Sequence, residues 1–333
     1  ILVAGQAPSL GTALTKPEGA QWAPPLEVID TVTYRADGQG YLKPGYRQVF
    51  VAPADGGGAR QLTQGDFNHG GDLSWSPEAA DSEVYALDVR SGALTALTDR
   101  RGPDQSPVVS PDGRRIAYVG YDDQRMGYHN ARLYVMDRDG ANRRVLTASL
   151  DRSVQSPAWS QDGRSVLIAY DDHGSTTVAR VTLDGAVSTV VQGLSGDDIG
   201  RPYSGGDFSV ADDGAVAFTR GTALRPADIH VLRQGRQTQL TRLNADYLAG
   251  KTLGAVQRLE IASSHDGRTI ESWLTLPADY VEGQKYPLIL EIHGGPFAAY
   301  GPHFATDNQL FAAAGYAVLS VNPRGSTSYG EEF

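Results

Sequence analysis

Apolar and polar positions recur along the chain in a fixed order. Ser110-Pro111-Asp112-Gly113 leads into Arg114-Arg115-Ile116-Ala117-Tyr118-Val119, and Ser160-Gln161-Asp162-Gly163 leads into Arg164-Ser165-Val166-Leu167-Ile168-Ala169. A third copy, Ala211-Asp212-Asp213-Gly214, precedes Ala215-Val216-Ala217-Phe218. In each, the Asp-Gly pair predicts a tight hairpin turn and the apolar run after it predicts a buried strand. Asp112 and Asp162 are 50 residues apart, and Asp162 and Asp213 are 51 apart. A second signal interleaves with the first. Glu83-Val84-Tyr85-Ala86-Leu87-Asp88, Arg132-Leu133-Tyr134-Val135-Met136-Asp137 and Asp228-Ile229-His230-Val231-Leu232 read as alternating strands. Each leads through a Gly turn to a further strand ending in Leu97-Thr98, Leu146-Thr147 or Leu240-Thr241. Strand, turn, strand, loop, at a period near 50, is the signature of four-stranded propeller blades. Two antiparallel sandwiches would use similar strands, but sandwiches do not repeat such a turn in register.

One interval is short. Pro77 to Pro111 is 34 residues and Leu62-Thr63 to Leu97-Thr98 is 35, about 15 below the period. The copy at Leu73-Ser74-Trp75-Ser76-Pro77 should run into Asp-Gly and a strand, yet Glu78-Ala79-Ala80-Asp81 leads straight to the next hairpin. Either a blade has lost a strand or connecting residues near 77–80 are missing. The second is expected, because a missing inner strand leaves ladder groups unpaired.

After about residue 250 the pattern changes character. Leu259 to Ala262 and Ile270 to Leu276 predict a hairpin around Asp266-Gly267, and Tyr286-Pro287-Leu288-Ile289-Leu290-Glu291-Ile292 predicts a buried strand. An Ala-rich helical stretch around Phe304 to Ala314 and an apolar strand, Ala317-Val318-Leu319-Ser320-Val321, follow. Strand, helix, strand after antiparallel strands marks the start of an α/β sheet. The expected domains are therefore a β-propeller over residues 1–250 and the opening of a second domain over 255–333.

Composition narrows the class. Gly 39 and Pro 18 imply many turns without reaching the low-complexity range, and 40% hydrophobic content suffices for a real core. Lys+Arg 29 against Asp+Glu 39 gives a net charge of −10, which disfavours nucleic acid and anionic lipid as partners. The absence of cysteine excludes disulfides, thiolate metal sites and a Cys nucleophile. No apolar run reaches the roughly 18 residues of a membrane span. A cytoplasmic location is expected. The chain opens at Ile1-Leu2-Val3-Ala4 without Met, so a true start and any signal peptide are expected upstream, and it stops just after a strand and a Gly-rich turn, where further residues are expected.

His293-Gly294-Gly295-Pro296 directly follows a strand, and the later strand ends in Asn322-Pro323-Arg324-Gly325-Ser326-Thr327-Ser328-Tyr329-Gly330. Two glycines at the carboxyl edge of a sheet let backbone N–H groups turn outward, where an oxyanion can be held; a plain strand-ending turn is the other reading. The order of propeller, hairpin, Tyr-Pro-Leu-Ile-Leu-Glu-Ile-His-Gly-Gly-Pro, helix and Asn-Pro-Arg-Gly-Ser-Thr-Ser-Tyr-Gly resembles the prolyl oligopeptidase family (S9) of serine peptidases. The acylaminoacyl peptidase branch is the nearest likeness, supported by Tyr34-Arg35-Ala36-Asp37-Gly38-Gln39-Gly40-Tyr41-Leu42. The likeness covers nearly the whole chain, and its specificity rests on Tyr286 to Phe333.

The resemblance implies an α/β-hydrolase domain capped by a propeller, seven-bladed in the intact protein, that restricts entry to short peptides, N-acylated or not, with no cofactor. It implies the Gly295 N–H as oxyanion donor, Gly294 allowing the turn, Pro296 fixing it and His293 supporting the loop. Arg324 is read as bracing the site wall rather than touching substrate. At Ser328 the family usually has Gly. The family's nucleophile elbow, Gly-x-Ser-x-Gly, occurs nowhere in the chain. Ser328, with Gly330 at +2, has Ser326 rather than Gly at −2. The triad would follow the last residue, so this stretch alone is expected to be inactive. A non-catalytic peptide-binding propeller, a dipeptidyl peptidase, a prolyl oligopeptidase and an esterase remain open alternatives, and a homo-oligomer is expected from the edge strand of the sheet.

The seven histidines, His69, His129, His173, His230, His265, His293 and His303, show no metal-ligand spacing. The paired acids Asp122-Asp123, Asp171-Asp172, Asp197-Asp198 and Asp212-Asp213 are read as blade turns. Tyr128-His129-Asn130 sits in a longer loop whose direction the sequence does not give.

Overall fold

The computed structural model describes residues 2–6, 35–36, 40–41, 46–52, 58–65, 82–295 and 297–333; the interval at 77–80 and Pro296 lie outside the described residues. The chain divides into two compact units, residues 1–103 and 104–333. The first contains β1 (Leu2–Gln6), β2 (Arg35–Ala36), β3 (Gly40–Tyr41), β4 (Arg47–Val51), β5 (Arg60–Gln61), β6 (Tyr85–Leu87) and β7 (Leu94–Ala96). They pair as an antiparallel β1-β4-β5 sheet and as the two hairpins β2-β3 and β6-β7.

The second unit opens with three four-stranded antiparallel meanders. They are β8 (Asp104–Val109) to β11 (Arg144–Val145) through β9 (Arg115–Gly120) and β10 (Arg132–Asp137); β12 (Val154–Trp159) to β15 (Val187–Leu194) through β13 (Ser165–Asp172) and β14 (Ser175–Thr182); and β16 (Phe208–Val210) to β19 (Arg236–Gln239) through β17 (Val216–Thr222) and β18 (Arg225–Arg233). Each sheet is a blade, and its first turn repeats the same chemistry. Ser110 and Ser160 donate their N–H to Arg115 O and Ser165 O across the turn, and their hydroxyls accept the N–H of Arg115 and Ser165 while donating to Asp112 and Asp162 at 2.6 and 2.7 Å. Each aspartate also accepts the N–H of the arginine two residues on. Gly113, Gly163 and Gly214 take φ of 72°, 65° and 78°, the conformation for which the Asp-Gly signal stands.

The Leu-Thr endings have an equally specific cause. Leu62, Leu97, Leu146 and Leu240 donate their N–H to the carbonyls of Val49, Val84, Leu133 and Ile229. The hydroxyls of Thr63, Thr98, Thr147 and Thr241 accept the N–H of those same four residues at 2.8–2.9 Å. Threonine thus replaces the carbonyl that the outer strand would otherwise supply, and the ladder closes without a further residue of strand. A further repeat, Gln105-Ser106-Pro107 and Gln155-Ser156-Pro157, has a local cause as well. Proline cannot donate to a ladder, and β8 and β12 both bulge here, with Ser106 and Ser156 at φ 51° and 53°.

Adjacent blades bury the core between them. Val119, Leu133, Val135 and Leu146 of the first blade pack on Val154, Val166, Ile168, Ala179 and Val181 of the second, whose Leu167, Val178 and Leu194 pack on Val216 and Phe218 of the third. Trp159 Nε1 donates to Val108 O at 2.9 Å, tying the first two blades.

After α1 (Ala245–Leu248) comes a mixed sheet: β20 (Val256–Ala262), β21 (Thr269–Thr275), β22 (Leu288–Ile292) and β23 (Ala317–Val321), in the order β20-β21-β23-β22. β21 runs antiparallel to β23, and β22 runs parallel to it through the crossover helix α2 (Thr306–Ala313). Buried Val318 and Ser320 place β23 inside the sheet. The strand expected to be buried, β22, is instead its edge: Leu288, Leu290 and Ile292 are 58%, 54% and 64% exposed. It pairs on one side only, and among the described residues no element covers its outer side. The third blade's preceding loop caps α2, for the Thr306 and Asp307 N–H groups donate to Ile199 O and Gly200 O at 2.8 and 3.0 Å. Ala305 at the N-cap offers no side-chain cap of its own.

Candidate active site

β22 ends at Ile292, so the following residues leave the carboxyl end of a parallel strand. Gly295 turns there at φ 130°, and a Cβ at that position would overlap the Phe297 nitrogen. Only glycine fits. The left-handed residue of the loop is Gly295, whereas Gly294 has open space around its Cα. Both are exposed, and among the described residues neither N–H has a hydrogen-bond acceptor. An N–H held outward without a partner is what stabilising a developing negative charge requires. Pro296 lies outside the described residues.

His293 is buried beneath this loop. Its Nε2 is hydrogen-bonded to Ser326 Oγ at 2.9 Å and its Nδ1 to Gly294 O at 3.1 Å, while Ser326 Oγ donates to Pro323 O at 2.6 Å. The ring meets Tyr300 edge to face at 5.1 Å. Tyr300 is in turn fixed by Asn322, whose Oδ1 accepts the Tyr300 N–H at 2.8 Å and whose Nδ2 donates to Tyr300 O and to Tyr329 Oη. Thr327 N–H donates to Ala298 O at 3.0 Å. The two segments that carried the resemblance, 293–300 and 322–329, therefore support each other.

Glu271, buried on β21, anchors the far side. It accepts from Tyr329 Oη at 2.8 Å, from Arg258 and from His173 Nδ1 at 3.1 Å. Burial pushes the Tyr329 phenol up, and the Glu271 carboxylate adds to the rise; burial also raises Tyr300 and Tyr128. All three phenols stay neutral, and Tyr329 donates to Glu271. Burial lowers His303, which donates from Nε2 to Gly174 O at 2.7 Å as a neutral ring.

The blades reach this region directly. Tyr128, in the loop between β9 and β10, stacks on Phe297 at 5.4 Å, and Asn130 N–H donates to Glu331 Oε1 at 2.8 Å. His173-Gly174, the tip between β13 and β14, meets Ser328: Gly174 N–H donates to Ser328 Oγ at 2.7 Å and His173 N–H to Ser328 O at 3.1 Å. Ser328 has φ 84°, so it adopts the conformation of the glycine expected there and adds a hydrogen bond that glycine lacks.

Of the residues singled out from sequence, His293, Gly294 and Gly295 stand together. Arg324 stands apart, paired with Asp266 and donating to Ser263 Oγ at 3.0 Å, so it braces the turn between β20 and β21. The loop Tyr128-His129-Asn130 comes to the site. Sequence reasoning gave no role to Ser326, Asn322, Tyr329 or Glu271. Three of these lie within the quoted Asn-Pro-Arg motif, while Glu271 carries no local signal. Among the described residues no cluster of His, Asp or Glu has metal-site geometry.

Residues 91–267 match the family model of the lipoprotein LpqB beta-propeller domain. Over 347 residues the chain is 28% identical to the uncharacterized peptidase YuxL of Bacillus subtilis (strain 168), covering 93% of the chain and 50% of that protein. Over 242 residues it is 28% identical to the probable dipeptidyl-peptidase 5 of Arthroderma benhamiae, covering 69% of the chain and 32% of that protein. The fold superposes over its full length on half of the Pyrococcus horikoshii acylaminoacyl peptidase, with a TM-score of 0.75 and 21% identity. The chain thus spans half or less of the length of these proteins. The resemblance to prolyl oligopeptidase-type peptidases that the sequence carries holds in its relatives, and the structural likeness shows the shared fold.

Proposed function

Because the chain belongs, through residues 91–267, to the family of the lipoprotein LpqB beta-propeller domain and its relatives are peptidases, we propose that it is the gating part of a serine peptidase. On this reading residues 1–250 form a propeller of seven blades in the intact protein. Residues 255–333 open an α/β-hydrolase domain. The supporting observation is the Gly295 N–H at the carboxyl end of β22, without an acceptor among the described residues, on a loop held by buried His293. The open edge of β22 supports the same reading, since a sheet can grow there to carry the nucleophile, acid and base.

In the proposed reaction a serine hydroxyl adds to the scissile carbonyl while a base takes its proton. The carbonyl electron pair moves onto oxygen, where the Gly295 N–H holds it. Collapse of the adduct expels the amine, which takes the proton, and water then hydrolyses the acyl-enzyme. Gly294 gives the loop room, Pro296 restricts it, His293 holds it from below and Arg324 braces the adjoining turn. The substrates are short peptides, with an acylated or free amino terminus. The test is labelling of the full-length protein by a fluorophosphonate, together with hydrolysis of matched N-acyl and free-amino dipeptide amides. One adduct per chain and turnover of either substrate are expected. No adduct and no turnover would make the protein a non-catalytic propeller scaffold. Residues 1–333 alone, lacking Gly-x-Ser-x-Gly, are expected to give neither signal.

A further inference from the structure

The loop that carries Gly295 is hydrogen-bonded at two points, with Phe297 stacked on Tyr128 between them. At one end His293 is tied to Ser326, and at the other the Ala298 carbonyl accepts the Thr327 N–H. Between them, Gly294, Gly295 and Phe297 make no hydrogen bond to another segment among the described residues. Whatever fixes Ser326 and Thr327 therefore fixes both hydrogen-bonded ends of the loop that carries the Gly295 N–H.

The mixed sheet does only part of that fixing, and the blades supply the rest. Ser328 is bonded twice by the tip His173-Gly174. The Glu331 N–H donates to Asp151 Oδ1 at 3.0 Å, and Asp151 is itself held by Asn130 Nδ2 at 2.7 Å. The fit is tight. A Cβ on Gly330 would fall on the Asp151 carboxylate, and one on Gly174 would fall on the Tyr300 carbonyl oxygen, beside the ring against which His293 rests.

We propose that Gly174 and Asp151 are positioning residues: through Ser328 and Glu331 they set segment 326–327, and through it the orientation of the oxyanion donor. This rests on the peptidase reading above and adds to it that the blades hold catalytic geometry as well as restricting entry. The oxyanion donor acts on the transition state, so its misplacement lowers kcat and leaves ground-state binding nearly unchanged.

The experiment uses the full-length protein and compares Asp151→Ala, Asp151→Asn and Gly174→Ala with the unaltered enzyme. Both bonds to Asp151 enter through Oδ1, and an asparagine oxygen can accept both, so Asp151→Asn is the conservative control. Asp151→Ala and Gly174→Ala are expected to lower kcat about 10- to 100-fold with KM within about twofold. The affinity for a peptidyl trifluoromethyl ketone, which becomes a tetrahedral oxyanion on binding, should fall by the same factor, while that for a product peptide holds. Asp151→Asn should restore both parameters. Unaltered kcat and ketone affinity in folded Asp151→Ala would overturn the positioning role and leave the peptidase reading standing. Equal losses of ketone and product affinity would also overturn it. An unaltered enzyme without activity would remove both. If Gly174→Ala does not fold, the two Asp151 variants decide.

Discussion

His303 shows how a single residue couples burial to pH. Desolvation holds its pKa below the ordinary 6.5, so the folded protein keeps the ring neutral where the unfolded chain takes up a proton. Its stabilising contribution is whole above about pH 6.5 and is lost as the pH falls below that value. His230 is lowered too, again mainly by burial, and acts in the same direction. The urea midpoint should be lower at pH 5 than at pH 7.5, and His303→Gln should flatten part of that difference; an unchanged slope would count against it. Ser328→Ala removes the acceptor of the Gly174 N–H and should destabilise by about 1–3 kcal/mol in denaturant titration. Sequence could mark His293 and the two glycines because a strand followed by His-Gly-Gly-Pro is a local pattern. It could not mark Glu271, whose importance comes from Arg258, His173 and Tyr329 converging on one buried carboxylate.

Among the elements, the blades were legible because their turns are made by neighbouring residues. Ser110-Pro111-Asp112-Gly113 closes its hairpin with its own hydroxyl, carboxylate and glycine and the backbone of the next two residues. The Leu-Thr signature was visible as a repeat, but its purpose was not, because the accepting hydroxyl and the donating N–H are about 14 residues apart. Thr147→Val keeps the shape and leaves the buried Leu133 N–H without an acceptor, so a loss of about 1–3 kcal/mol is expected, with Thr147→Ser retaining most of the stability. An equal denaturation midpoint for Thr147→Val would show that the hydroxyl is dispensable. The helix at Thr306–Ala313 was also legible in its composition, while its capping by Ile199 and Gly200 was not.

For the molecule as a whole, the edge strand β22 has the largest consequence. Leu288, Leu290 and Ile292 leave apolar side chains exposed beside a strand edge that is unpaired among the described residues. A protein of residues 1–333 is expected to self-associate through this edge, and Leu290→Lys should shift it toward monomer in sedimentation. An unaltered distribution would place any association elsewhere. A mostly apolar run such as Leu288 to Ile292 reads as a buried strand from sequence, because composition reports what a strand can bury and not whether a neighbour is present to bury it.

The sequence by itself determined the blades, their turns, the change of pattern near residue 250 and the two motifs of the candidate site. Each is encoded by residues close together in the chain, where backbone sterics and local hydrogen bonds act without help from the fold. Only the tertiary structure decided that Tyr128, Asp151 and Gly174 of the blades meet Phe297, Glu331 and Ser328, and that β22 lies at an edge. Those outcomes depend on packing between segments up to 180 residues apart, as between Asp151 and Glu331, and no local pattern records which surfaces will meet.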